Sequence, residues 1–151
     1  MTPESYVNLS AVDLMALCIW REARGEQMMG KRGVGHVIAN RVNARSFFGH
    51  DIVSVILKPY QFSSFDANDP NADKWPEDDD PSWMDSQQAA KAVVSWNDSD
   101  LTAGALYYFS PPIVRPPSAW GSVGVTLVVG NLTFCKPVMQ PQMGVDNSTQ
   151  V

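Results

Sequence analysis

Residues 14–20 read Leu-Met-Ala-Leu-Cys-Ile-Trp, an unbroken apolar run, and Arg-Glu-Ala-Arg-Gly-Glu follows at once. A helix that is apolar all round has to be buried, so this segment dictates what the rest of the chain must cover. Ser10 is placed to cap it, with Asp13 three residues later in a capping-box-like arrangement. Leu14, Cys18 and Trp20 or Arg21 fall near one face, with Leu17 and Ile19 close by. The spacing predicts a mostly buried helix to about Arg24, broken at Gly25.

A second helix is expected from about Met28 to Val42, with Val34, Val37, Ile38 and Val42 on one stripe. Gly30, Gly33 and Gly35 weaken its start and suit a face that another backbone approaches closely. A short helix, Asp51 to Leu57, ends before Pro59. From Ser63 to Ser82, Asp, Asn, Pro and Ser dominate, which reads as a long surface loop. Its Glu77-Asp78-Asp79-Asp80 run lacks the alternating ligands and the glycine of a calcium loop, so a solvated acidic loop is expected. A third long helix should span Ser82 to Trp96, burying Trp83, Ala89, Ala90, Val93 and Val94. After Thr102 the pattern turns to strands: Ala105 to Phe109, Val123 to Val129 and Leu132 to Cys135. Gly130-Asn131 between the last two is a hairpin signal, and the Pro111 to Pro117 segment should be extended. Helices first and a small antiparallel sheet later make the expected class α+β. The length of 151 residues suits one domain, with a core over about residues 10–136 and a tail, 137–151, without periodic signal.

Charge and composition narrow the function. A net charge of −5 provides no basic stripe for phosphates, so nucleic acid is not an expected partner. No stretch approaches the roughly 18 apolar residues of a membrane span, and the first residues lack a basic, apolar leader. Synthesis in the cytoplasm and no membrane partner are the resulting expectations. Cys18 and Cys135 are too few for a disulfide framework; two buried thiols are expected, with one bridge between them as the alternative.

Most catalytic constellations are missing from the sequence. His36 and His50 lack metal-ligand spacing, and there is no Gly-x-Ser-x-Gly elbow and no phosphate-cradling glycine loop. Cys18, mid-helix among apolar residues, suits packing better than attack. Carboxylate chemistry is what remains, with no metal or cofactor expected. Glu22 stands near the end of the apolar helix, where partial desolvation raises a carboxyl pKa toward that of a general acid. The competing reading pairs it with Arg21 or Arg24. Glu26 is expected in a supporting role, favouring the start of the second helix.

Trp20-Arg21-Glu22-Ala23-Arg24-Gly25-Glu26, then Gly30, Val34 and Val37-Ile38-Ala39-Asn40-Arg41-Val42, resemble the opening motif of the SleB family of cell wall hydrolases. Gln61-Phe62-Ser63, Asp100 with Gly104-Ala105-Leu106-Tyr107-Tyr108-Phe109, Trp120, and Gly130-Asn131-Leu132-Thr133-Phe134-Cys135 resemble its later landmarks in order. The resemblance spans about Leu14 to Lys136. It departs at Leu132, where many members have a histidine.

This resemblance implies a lysozyme-like catalytic fold and cleavage of peptidoglycan between N-acetylmuramic acid and N-acetylglucosamine. It places the essential glutamate at Glu22. The family's best understood members are lytic transglycosylases, which leave 1,6-anhydromuramoyl ends. A hydrolase normally needs a second carboxylate, for which Glu26 and Asp66 are the candidates, so a muramidase-type hydrolase stays open. Gln61 and Ser63 suit sugar hydroxyls or N-acetyl groups, while Phe62 suits packing. Tyr108 and Trp120 either stack on sugar rings or fill the core. Asn40 reads as a buried hydrogen-bonding residue supporting the site. Members also occur in bacteriophages, so the expected setting is phage-borne: an endolysin released at lysis, or a virion-associated enzyme touching tail or internal proteins. A structural virion component that keeps the fold without activity is the rival from another class.

Overall fold

A computed structural model of the chain describes residues 6–95 and 97–138. Trp96 and the tail beyond Val138 lie outside the described residues. The first helix, α1 (Ala11–Ala23), has Leu14 through Ile19 fully buried, and the Ser10 hydroxyl accepts from the Asp13 amide at 3.1 Å. Around it pack α2 (Met28–Ala44), α3 (Ile52–Leu57) and α4 (Pro81–Val94). The starts of α3 and α4 have a local cause. Asp51 and Ser54 form a reciprocal capping box on α3, and Asp80 caps α4 ahead of Pro81. Asp80 also accepts from the Trp20 indole at 2.9 Å, so the last acid of the 77–80 run ties α1 to α4.

Among the described residues, three antiparallel strands follow α4: β1 (Tyr107–Phe109), β2 (Val123–Val129) and β3 (Leu132–Pro137), in the order β1-β3-β2. Tyr108 sits opposite Phe134, and β2 and β3 are joined by the Gly130-Asn131 turn, with Gly130 at φ 55°. The first strand is shorter than expected, since Ala105 and Leu106 precede it. The architecture is α+β.

The glycines of α2 have a different cause from the one the sequence suggested. A Cβ on Gly33 would lie 2.5 Å from the Phe134 ring, and one on Gly35 would lie 3.0 Å from Val93 Cγ2. Gly30 is crowded by Glu26 Cβ and Leu132 Cδ1. Side chains of β3 and α4, rather than another backbone, therefore fill the space, and the sheet docks onto the glycine face of α2 through its central strand.

The segment expected as a long surface loop carries two short 3-10 turns, Ser63–Phe65 and Pro70–Asp73. The Arg21 guanidinium fixes it by donating to the carbonyls of Ser64 (3.2 Å), Ala72 (3.0 Å) and Lys74 (3.1 Å) and to the Tyr6 hydroxyl (2.9 Å). Tyr6, Phe65 and Trp75 stack around that guanidinium. Cys18 and Cys135 are both buried and unpaired, and burial pushes both thiols above their ordinary pKa.

Candidate active site

The end of α1, the second half of α2, the 60–63 segment, β1 and the loop to Trp120 surround one cleft of about 570 Å³. Glu22, Gln61, Ser63, Tyr108 and Trp120 all line it, so five residues distant in sequence meet at one place. Glu22 is half-buried in the last turn of α1, where the helix leaves the core. Neither neighbouring arginine pairs with it. Arg21 is committed to the 63–75 segment, and Arg24 donates to Asn71 Oδ1 at 3.1 Å with its guanidinium over the Trp20 ring.

The partner of Glu22 is Tyr108, whose hydroxyl donates to Oε1. Burial first, and the adjacent Glu22 next, push the Tyr108 phenol well above its ordinary pKa, so it stays a protonated donor. Tyr108 thus does more than fill the core or offer a stacking face: its phenol fixes the carboxyl orientation. Trp120 stacks on Tyr107 with ring centroids 4.6 Å apart and an interplanar angle of 19°. The pair forms an aromatic wall. Gln61 is half-buried and Ser63 exposed on the facing segment, while Phe62 between them is buried.

Glu26 and Asn40 do not line the cleft. Glu26 is not the cap of α2: Gln27 occupies that position, and the Glu26 carboxylate accepts from the Asn131 amide at 3.2 Å. It reaches away from its own helix start because the hairpin turn presents an amide there, and Gly130 has no side chain to block the approach. Asn40 donates to Asp100 Oδ2 at 2.9 Å and to the Ala105 carbonyl at 3.0 Å, fastening the 100–105 loop that leads into β1. Asp66 accepts from the Tyr60 amide at 3.2 Å and is likewise outside the cleft wall. Among the described residues, Glu22 is the carboxylate that lines the cleft.

Phe47, Tyr60 and Arg41 are among the cleft residues that the sequence reading did not assign to the site. Phe47 and Tyr60 stand exposed at the rim, Tyr60 at 88% and with a left-handed φ of 67°. Arg41 lines the wall though only 5% exposed, its Nε donating to the Leu106 carbonyl at 2.8 Å. The signal for Arg41 was present: it lies three and four residues after Ile38 and Val37, on the apolar stripe of α2. A charge at a core position is the anomaly to look for. Leu132, by contrast, is buried in the core against the glycine face of α2 and does not border the cleft.

Nothing among the described residues gathers three or more histidine, cysteine or acidic side chains as a metal site would. His36 contacts Asp98 at 2.6 Å, and Arg32 bonds the same carboxylate. These groups tie α2 to the 97–100 segment. No helix among the described residues is long and apolar enough to cross a membrane.

A family model described as Cell Wall Hydrolase matches residues 25–135. The spore cortex-lytic enzyme of Bacillus subtilis (strain 168) is 28% identical over 127 residues, covering 83% of this chain and 37% of its own length. That of Bacillus cereus is 31% identical over 127 residues, covering 83% and 44%. The chain thus spans less than half the length of these relatives. Among solved structures, the catalytic domain of the Bacillus cereus SleB protein superposes with a TM-score of 0.66 and 28% identity, covering 89% of this chain and 95% of that one. The catalytic domain of the germination-specific lytic transglycosylase SleB from Bacillus anthracis gives the same TM-score and identity and is covered completely.

Proposed function

Because this chain belongs to the cell wall hydrolase family, whose model matches residues 25–135, we propose that it cleaves peptidoglycan glycan strands as a lytic transglycosylase using Glu22. The bond broken is that between N-acetylmuramic acid and N-acetylglucosamine. The observation that carries this reading is the cleft carboxylate, single among the described residues, held by Tyr108. A glycosidase of the two-carboxylate type places its second acid within roughly 5–9.5 Å of the first. Here the candidates for that role, Glu26 and Asp66, are engaged by backbone amides outside the cleft.

One carboxyl is sufficient for transglycosylation. Protonated Glu22 gives its proton to the glycosidic oxygen as the bond from that oxygen to the muramoyl anomeric carbon breaks. The resulting carboxylate then takes the proton of the sugar's 6-hydroxyl, whose oxygen bonds to the same carbon and closes a 1,6-anhydro ring. Glu22 ends protonated, and no water is consumed. Tyr108 holds one carboxyl oxygen throughout and leaves the other for substrate. Gln61 and Ser63 offer hydrogen bonds to the sugars, and the Tyr107–Trp120 wall offers an apolar face to a ring. The setting we assign is phage-borne, on the family's occurrence in bacteriophages; finding the chain in purified particles would distinguish a virion-associated enzyme from one released at lysis.

The test is digestion of purified peptidoglycan with wild type and Glu22→Gln, followed by mass spectrometry of the muropeptides. Anhydro ends from wild type and none from the variant are expected. Reducing ends would make the chain a muramidase-type hydrolase. No release from several wall types, by a folded wild type, would favour the structural role.

A further inference from the structure

Two arginines in this fold are equally buried, at 5% exposure each, and each is caged by three aromatic rings. Arg21 spends its guanidinium on four acceptors and holds the 63–75 segment in place. Arg41 has the same kind of cage, with Phe48 and Phe62 at 4.7 and 4.9 Å and Tyr107 at 5.7 Å, but only Nε has an acceptor among the described residues. Its Nη1 is buried without a partner. The other buried atoms of that kind, Arg24 Nη1 and Ser64 Oγ, belong to residues outside the cleft wall, whereas Arg41 is part of it. A guanidinium keeps its charge in a protein and needs acceptors for its donors. Leaving one donor unmet inside a folded domain is costly, and Arg21, with four acceptors, does not bear that cost.

We propose that Arg41 is a substrate-binding residue whose free guanidinium donor takes an acyl oxygen of the glycan beside Glu22. This rests on the glycosidase reading and names the substrate group it recognises. Two positions on the glycan offer the chemistry, the acetamido carbonyl carried by both sugars and the lactyl carboxyl oxygen carried only by muramic acid. Both are hard oxygen acceptors able to meet a cation in a partly dry wall. The aromatic cage fixes the plane of the guanidinium, so an acceptor is met by a donor already oriented.

Binding is read in the Glu22→Gln background, where no turnover interferes. The probes are a chitooligosaccharide, which has acetamido groups only, and a muramoyl-containing oligosaccharide with a free lactyl carboxylate. Loss of one charge-assisted hydrogen bond predicts roughly 10- to 100-fold weaker binding in Arg41→Gln, with partial recovery in Arg41→Lys. Weakening for both probes identifies the acetamido carbonyl, and weakening for the muramoyl probe alone identifies the lactyl oxygen. Unchanged binding of both probes by Arg41→Gln overturns the proposal. Should the Arg41 variants fail to fold, the guanidinium Nη–H resonances of Arg41 in the Glu22→Gln protein with Arg41 intact give the answer. They should shift on saturation with glycan, and still resonances in a protein that binds the glycan overturn the role of Arg41 alone. A folded protein that binds neither probe overturns the glycosidase reading along with it.

Discussion

Glu22, Tyr108 and Arg41 bring a carboxyl, a phenol that stays protonated and a buried cation to one cleft wall. At this scale the account is open to separation of chemistry from folding. Glu22→Gln should leave thermal stability nearly unchanged and lower glycan cleavage by at least about 100-fold, the lower end of what a general acid contributes. Tyr108→Phe removes one donor to the carboxyl. A hydrogen bond to a charged group is worth roughly 1.5–3 kcal/mol, so kcat should fall about 10-fold or more with KM little altered; a rise in KM at constant kcat would instead make Tyr108 a sugar contact. Glu22 was legible because an ionisable group at the end of an apolar helix is conspicuous. The bond from Tyr108 to Glu22 was not, since 86 residues separate the partners and no local pattern encodes the meeting. Arg41 was half legible, as a charge on an apolar stripe, but its unmet donor shows only once Phe48, Phe62 and Tyr107 surround it.

The elements owe their placement to one face of α2. Phe134 on the central strand enters the space above Gly33, and Tyr108 opposite it in register then points its hydroxyl at the end of α1. Gly33→Ala should therefore destabilise the protein by about 1–3 kcal/mol in urea unfolding, despite a propensity gain near 1 kcal/mol, because the ring has to give way. Gly25→Ala, with nothing within 4 Å of the added carbon, should stay within about 0.5 kcal/mol of wild type. Equal effects of the two would contradict this packing. Helical periods and the Gly130-Asn131 turn made α1 to α4 and the β2–β3 hairpin legible in advance. What covered the glycines was not legible, because the same absence of a side chain suits a passing backbone or an inserted ring. The bond of Glu26 was not legible for a related reason: its reach to the Asn131 amide depends on the hairpin folding back over the start of α2.

For the whole molecule, the carboxylates that join α2 to the 97–105 segment set the acid limit. Burial alone would raise the Asp98 and Asp100 carboxyls. Bonds from Arg32 and His36 to the first, and from Thr102, Asn40 and Gly104 to the second, outweigh it and hold both below the usual carboxylate range. The folded state then binds fewer protons than the unfolded chain, whose aspartates titrate near about 3.9. Their contribution is complete above that value and disappears as pH falls through the depressed native values. The urea midpoint should hold from about pH 7 to 5 and fall below about pH 4, with a smaller fall in Asp100→Asn; an equal fall in that variant would remove Asp100 from the explanation. The most direct test of the central claim is to digest peptidoglycan in water enriched in heavy oxygen and weigh the new muramoyl ends. Transglycosylation by a lone Glu22 predicts anhydro ends without label, whereas labelled reducing ends would show that water attacked and that a second base has to be found.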